Sequence, residues 1–411
     1  MRTPGVRFEV PDPPPDATWV MGRFPTPPGL YLHIPFCRTL CPFCPYNKVC
    51  FDPDLAAGFG HALLAEVDAY LTADAGPFPS LYVGGGTPTL CLDLVTEVAG
   101  RVEVTGERAI EVLPSHLTGV TALELARIGF DAVSLGVQSF DADVLRHLHR
   151  PTTVRQNLTA VEVAVGRFAC VDVDLIFDTV FARPEVLLTD LATCFAHGVD
   201  QVSTYPLIRF GFTPFGTGEH DRRREHRLLR QATELAAAHG YERRSVWTFN
   251  RIGGPTYSSI TRPRYLGFGA GAASYTGPDL LVNHFGLRQY TEALARGRLP
   301  IARHAHLSPL AADAYQLFWQ LYTGVLPAGS FDEGSSGRHL LRAAVGLART
   351  LGWVRRDADG DHLTPRGYDR YHDLERWVTS HLIEPLWAEL HREHDEAPAA
   401  DGPAPAATGT G

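Results

Sequence analysis

Short apolar runs of strand type recur along the first half of the chain, with longer stretches of helical spacing between them. The runs are LYLHI (30–34), LYVGG (81–85), AIEVL (109–113), AVSLGV (132–137), VDVDLIF (171–177) and QVSTYPL (201–207). Between the first two, DPDLAAGFGHALLAEVDAYL opens with Asp52 and Pro53 as a helix start and then repeats apolar residues one turn apart. Strands separated by helices imply βαβ units and a parallel sheet. Six units are too few for an eight-stranded barrel. The pattern therefore predicts an α/β fold, a partial (β/α)6 TIM-like barrel with helices outside and any site at the C-terminal ends of the strands.

From about residue 300 the pattern becomes helical. HLSPLAADAYQLFWQLYTGVL offers Ser308 as N-cap and Pro309 at the first helical position, with Leu310, Ala314, Leu317 and Leu321 on one face. HLLRAAVGLARTL reads as a further helix, and GWVRRDADGDHLTPRG as a hairpin turning at Asp359 and Gly360. The expected organisation is a Pro-rich arm over 1–28, a barrel over 29–300, a helical, winged-helix-like unit over 301–394 in a packing or lid role, and a disordered tail over 395–411.

Composition narrows the function. At 411 residues and 45% hydrophobic, the chain can bury a large core and a smaller one. A net charge of -9 with no Lys/Arg block disfavours a nucleic-acid surface and favours a small-molecule partner. No membrane-length apolar window and no secretory leader pattern is seen, so a cytoplasmic setting is expected. Lys48 is the only lysine, a skew that arginine-favouring codon usage accounts for, although its place beside the cysteines described next leaves a role open. The seven cysteines are an odd number, which fits a reduced compartment, and Cys50, Cys91, Cys170 and Cys194 read as ordinary buried thiols.

The chemistry concentrates in YLHIPFCRTLCPFCPYNK (31–48), where Cys37, Cys41 and Cys44 are spaced by three and two residues. A structural zinc site needs four ligands, so a zinc loop here requires a distant fourth such as His33. Three thiolates on a [4Fe–4S] cluster would instead leave one iron open. With Phe43 before the last cysteine, this motif resembles the radical S-adenosylmethionine (SAM) superfamily. The lead-in YLHIPFC resembles the oxygen-independent coproporphyrinogen III oxidase branch, over about 29–390. That resemblance implies a [4Fe–4S] cluster on the three cysteines, SAM on the open iron, reductive cleavage to a 5′-deoxyadenosyl radical, a second bound SAM, and an external electron donor such as flavodoxin or ferredoxin. It implies SAM contacts from Tyr31, Phe43, Gly85, Gly86 and Thr87 of GGGTPT, Glu111, Gln138, Arg150, Asp174, Pro206 and Ala273.

The substrate side departs from that branch. Tyr46 stands where the oxidase carries a further cysteine, SSITRPRYLGFGAGAAS replaces the haem chaperones' element before the later Gly-rich strand, and Asp178, Thr179 and Val180 replace a Gly-Leu-Pro. These departures resemble the class C radical SAM methyltransferases and cyclopropanases, implying methyl or methylene transfer from the second SAM to an sp2 carbon of a natural product. Porphyrinogen-type oxidative decarboxylation and haem chaperoning are the alternatives. Tyr46, Tyr205 and Arg262 are the candidate catalytic residues, with Arg209, Trp247 and Tyr265 as further substrate-side candidates.

Overall fold

A computed structural model describes residues 2–3, 6–74, 76–178, 183, 185–218, 221–257, 262–330 and 338–395. The six apolar runs form six parallel strands in chain order: β1 (Gly29–Ile34), β2 (Leu81–Gly85), β3 (Arg108–Val112), β4 (Ala132–Gln138), β5 (Cys170–Phe177) and β6 (Gln201–Pro206). Each is followed by a long helix: α1 (Pro53–Ala73), α2 (Leu92–Arg101), α3 (Gly119–Ile128), α4 (Val154–Ala164), α5 (Glu185–Ala196) and α6 (Arg222–Ala238). Caps mark several helix starts: the Asp52 carboxylate accepts from the Asp54 and Leu55 amides, and Thr153 with Gln156 forms a capping box. The partial α/β barrel is thus present.

The sheet also extends beyond the six runs. β7 (Tyr241–Arg243) and β8 (Thr248–Arg251) add antiparallel strands outside β6; β9 (Tyr265–Phe268) runs parallel to β1, and β10 (Ala273–Tyr275), β11 (Asp279–Asn283) and β12 (Ile301–His306) continue antiparallel, giving twelve strands in one sheet. Ile301–His306, expected at the head of the C-terminal unit, is therefore the sheet's last strand. The proline-rich arm carries a helix, Ala17–Met21, capped by Asp16, whose Val20 is fully buried; Glu9 pairs with His304.

Alternation along the strands divides the barrel. In β5, Val171, Val173 and Leu175 join the main apolar core with helix residues such as Leu63, Val98 and Leu191, while Cys170, Asp172 and Asp174 take the opposite, inward face. Ala109, Ala132 and Cys170 line the inner floor with Tyr257 and Tyr82. The result is a polar interior open towards the loops after the strands.

Beyond β12, α7 (Pro309–Tyr322) starts at Ser308, whose hydroxyl accepts from the Ala311 amide. α8 (Arg338–Thr350) follows, and β13 (Val325–Pro327), β14 (Val354–Arg356) and β15 (Gly360–Leu363) form a small antiparallel sheet. α9 (Pro365–Val378) and α10 (Glu384–Asp395) then pack back onto the barrel: Trp387 of α10 lies 5.7 Å from Tyr46, ring to ring. Among the described residues no helix is long and apolar enough to cross a membrane.

Candidate active site

The cysteine loop leaves β1 and is tied at both ends. The Cys37 carbonyl accepts from the Phe51 amide, and Phe36–Cys37 pairs with Val49–Cys50. His33 anchors the far side: Nε2 is 2.8 Å from the Asn47 carbonyl and Nδ1 is 2.8 Å from the Tyr31 hydroxyl. Burial lowers the His33 pKa to about 4, so the ring is neutral at pH 7, with Nε2–H donating to Asn47 and Nδ1 accepting from Tyr31. Both ring nitrogens are thus engaged inside the protein, which removes His33 as the fourth ligand of a zinc loop. The Asn47 amide donates to the carbonyls of Ala270 and Phe285, locking the loop to the segments after β9 and β11.

Two of the three sulfurs accept side-chain hydrogen bonds, and a lysine stands at the third cysteine's backbone. Thr87 Oγ1 donates to Cys37 Sγ at 3.6 Å, and Arg150 Nη1 donates to Cys41 Sγ at 3.4 Å. Lys48 Nζ donates to the Cys44 carbonyl. Burial pushes the Cys37 thiol up to about 11 and also raises Cys44, while Lys48 opposes both shifts. Thiols so placed need a compensating cation to ionise. Among the described residues no three His, Cys, Asp or Glu side chains converge on a single ion; a cluster is instead held through separate irons. A side chain at Gly86 would place its Cβ 2.6 Å from the Phe36 carbonyl oxygen and 3.0 Å from Cys37 Sγ, so the turn after β2 can close on the loop only as glycine. Gly85, at φ +111°, meets the same limit against His33.

The strand ends carry the remaining candidates. Glu111 accepts from the Gly85 amide at 3.2 Å and from the Tyr82 hydroxyl, and burial raises its pKa to about 7. Gln138 ends β4 at a register shift, with φ 69°, a left-handed conformation that a non-glycine residue holds only under constraint. Arg150 also donates to the Gly136 carbonyl, and its buried Nε has no partner among the described residues. Asp174 accepts from Ser134 Oγ at 2.7 Å; burial raises its pKa, and Asp172 beneath it adds to the shift. Tyr31 stacks on Tyr82 with centroids 5.7 Å apart. These residues share one face of the barrel and fit a cluster and SAM: three thiols, a glycine cradle, carboxylates and an arginine with an unused N–H.

Tyr46 is half exposed, and Glu111, Cys44, Asp174 and Glu375 all bear electrostatically on its hydroxyl, which places it on the same side of the barrel as these groups. Tyr205, 5.8 Å from Trp247, lies within electrostatic reach of Asp174 and Tyr46. Arg209 lies part-buried on the loop after β6, where Pro206 is buried. Phe43 packs with Leu148, Leu207 and Phe215 at the loop's outer side.

Several expectations are corrected. Arg262 sits at the opposite end of the barrel, paired with Glu107 at 3.2 Å just before β3, because β9 runs parallel to β1 and residues preceding it fall at the strands' N-terminal ends. Tyr265 begins β9 at that end and meets the Tyr315 hydroxyl at 2.8 Å. Ala273 packs in the apolar cluster of Val282, Phe285 and Leu390, which also takes Trp387, the ring that faces Tyr46. Cys50 is exposed at the loop mouth and Cys91 half-buried; only Cys170 and Cys194 of the four other cysteines are buried. Thr179, Val180 and residues 258–261 lie outside the described residues, whereas Asp178, at φ 56°, pairs with Arg224 at 3.0 Å.

Sequence reasoning missed Asp172, Tyr82, Tyr257 and the α9 pair Glu375 and Arg376. Alternation in VDVDLIF signals Asp172; the α9 pair joins the barrel only through tertiary packing.

Residues 31–180 match the model of the radical SAM superfamily. The haem chaperone HemW of Mycobacterium tuberculosis is 31% identical over 322 residues, covering 70% of this chain and 79% of that protein. The chain belongs to the radical SAM superfamily. Within it, the oxygen-independent coproporphyrinogen III oxidase of Pseudomonas aeruginosa is 26% identical over 315 residues, 68% of each chain. The solved coproporphyrinogen III oxidase HemN of Escherichia coli shares the fold at a TM-score of 0.72, with 22% identity, over 87% of this chain and 91% of that one. The cofactors of this radical SAM protein are accordingly a [4Fe–4S] cluster and SAM. The expected kinship to class C methyltransferases finds no support in these relatives, which are haem chaperones and coproporphyrinogen oxidases.

Proposed function

We propose that this radical SAM protein oxidises an acidic substrate of the tetrapyrrole class, in the manner of the coproporphyrinogen III oxidases it resembles. The observation that carries the reading is a pair of neighbouring α9 residues with buried polar atoms that have no hydrogen-bond partner among the described residues: Glu375 Oε2, and Nε and Nη1 of Arg376. Each such group costs about 1–3 kcal/mol unless something completes it. Arg376 already pairs through Nη2 with Glu225 at 3.5 Å but keeps Nε and Nη1 for a carboxylate, and Glu375, whose pKa burial raises to about 7, can donate a hydrogen bond when protonated.

When bound, the cluster and SAM supply a 5′-deoxyadenosyl radical, with the electron drawn from an external flavodoxin- or ferredoxin-type donor. The chain's own residues bind and orient. Glu111 and Asp174 would hold SAM through its ribose and amino groups and Arg150 would pair its carboxylate, while Tyr46 and Tyr205 would contact substrate and Trp247 with α9 and α10 would keep water out.

Anaerobic incubation of the reconstituted, reduced protein with SAM and coproporphyrinogen III tests this by mass spectrometry. The expected products are 5′-deoxyadenosine, which takes one hydrogen atom from the substrate, and a tetrapyrrole that has lost carbon dioxide, the one remaining electron passing to an external one-electron acceptor included in the incubation. 5′-Deoxyadenosine with an unaltered tetrapyrrole would overturn the proposal. A second reading, haem binding without turnover, is favoured by Tyr46 standing in place of the oxidases' further cysteine; it predicts stoichiometric haem binding and no SAM cleavage. Deuterium passing from methyl-labelled SAM into 5′-deoxyadenosine would instead support methyl transfer.

A further inference from the structure

Away from the barrel mouth, a cavity of about 420 Å³ opens between α6 and the C-terminal unit. Four arginines line it, Arg222 and Arg223 from the first turn of α6 and Arg366 and Arg370 from α9, against one carboxylate, Asp369. Asp373 lies behind this wall and already serves Arg222, His226 and, at 3.8 Å, Arg370. Asp369 gives Oδ2 to Arg230 at 3.2 Å, while its buried Oδ1 has no hydrogen-bond partner among the described residues. Arg223 and Arg366 are left with no acidic partner among the described residues. In a chain of net charge -9, this concentration of cations in one concavity stands against the overall balance.

The cavity also has an aromatic wall. Trp353 lines it, and the Arg370 guanidinium carbon lies 5.5 Å from the Trp353 ring centroid. A cationic pocket with an indole at its side suits an anion joined to a flat ring. The volume lies in the range of about 300–1,000 Å³ usual for small-molecule sites.

We propose that this cavity binds a phosphorylated, ring-bearing small molecule of the nucleoside diphosphate class, with phosphates on Arg223 and Arg366 and the ring against Trp353. Nucleic acid is the less favoured ligand, although the unit is winged-helix-like. The arginines of its hairpin are neutralised at home: Arg355 by Asp357, and Arg356 together with Arg349 by Asp361. Among the described residues no cationic stripe leads out along the hairpin to follow a phosphate backbone.

Titration calorimetry on the full reconstituted chain tests this, with ADP and pyrophosphate as probes and S-adenosylhomocysteine at saturation to block the adenosine pocket of the barrel. ADP is expected to bind, at least tenfold more weakly to an Arg223→Ala/Arg366→Ala variant. Because neither arginine holds an acidic partner, the fold should survive, as an unchanged melting temperature would show. Trp353→Ala should weaken ADP while leaving pyrophosphate unaffected. Absence of heat with both probes at millimolar concentration, binding indifferent to the arginine replacements, or duplex DNA binding that ADP does not displace would each overturn the proposal.

Discussion

Cys37, Cys41 and Cys44 could be read from spacing because a chelating loop is local in sequence, and its chemistry survives in any fold that closes it. Arg262 and Tyr265 could not be placed in that way: whether a polar residue before a strand reaches the site depends on the strand's direction, and β9 runs with the barrel, leaving both at the far end. Asp190 supplies a prediction at this scale. Its buried carboxylate accepts from Ser139 Oγ and from the Phe140 amide, and burial raises its pKa to about 7. A carboxyl whose folded pKa lies above its unfolded value contributes stability that is complete below the unfolded pKa and disappears as pH rises through the folded one. Asp190→Asn retains a carbonyl for Phe140 and an amide N–H for the serine oxygen. It should match the parent near pH 4 and exceed it at pH 8 by roughly 2–3 kcal/mol in urea unfolding; equal stability at both pH values would contradict the assignment.

At the scale of elements, the six barrel strands were legible because each is a short run of strand-type residues with a helical pattern behind it. The short strands β7 to β12 were not, since three- to six-residue segments such as Tyr241–Arg243 and Ala273–Tyr275 carry too little pattern and exist through their neighbours. The Ala17–Met21 helix escaped notice for a similar reason: five residues inside a proline-rich arm. Two glycines separate local from tertiary demands. Gly58, in α1, has nothing within 4 Å of an added Cβ, so Gly58→Ala should raise stability by about 0.5–1 kcal/mol. Gly86→Ala drives its Cβ into the Phe36 carbonyl and Cys37 sulfur, and should lower iron and sulfide content after reconstitution. If both variants melt and reconstitute like the parent, the described closure of the turn on the cysteine loop is wrong.

For the whole molecule, the decisive feature is that α9 is bound into the barrel through buried polar contacts. His372 of α9 is fully buried, takes the Trp247 indole N–H at 3.0 Å and meets Glu225 of α6 at 2.7 Å, tying α9 to both the sheet and an outer helix. His372→Ala should cost about 2–4 kcal/mol, since it leaves a buried carboxylate and an indole N–H without this partner; thermal melting monitored by circular dichroism measures it. Nothing local in the sequence announces this connection, because residues 225, 247 and 372 meet only in three dimensions.

The central claim is that three cysteines hold a cluster with an iron left for SAM, and electron paramagnetic resonance tests it most directly. The reduced, reconstituted protein should contain about four iron and four sulfide per chain, and its signal should shift when SAM is added; Cys41→Ala should lose both the complement and the shift. A Cys41→Ala protein with full iron and sulfide, or a parent signal indifferent to SAM, would contradict the account.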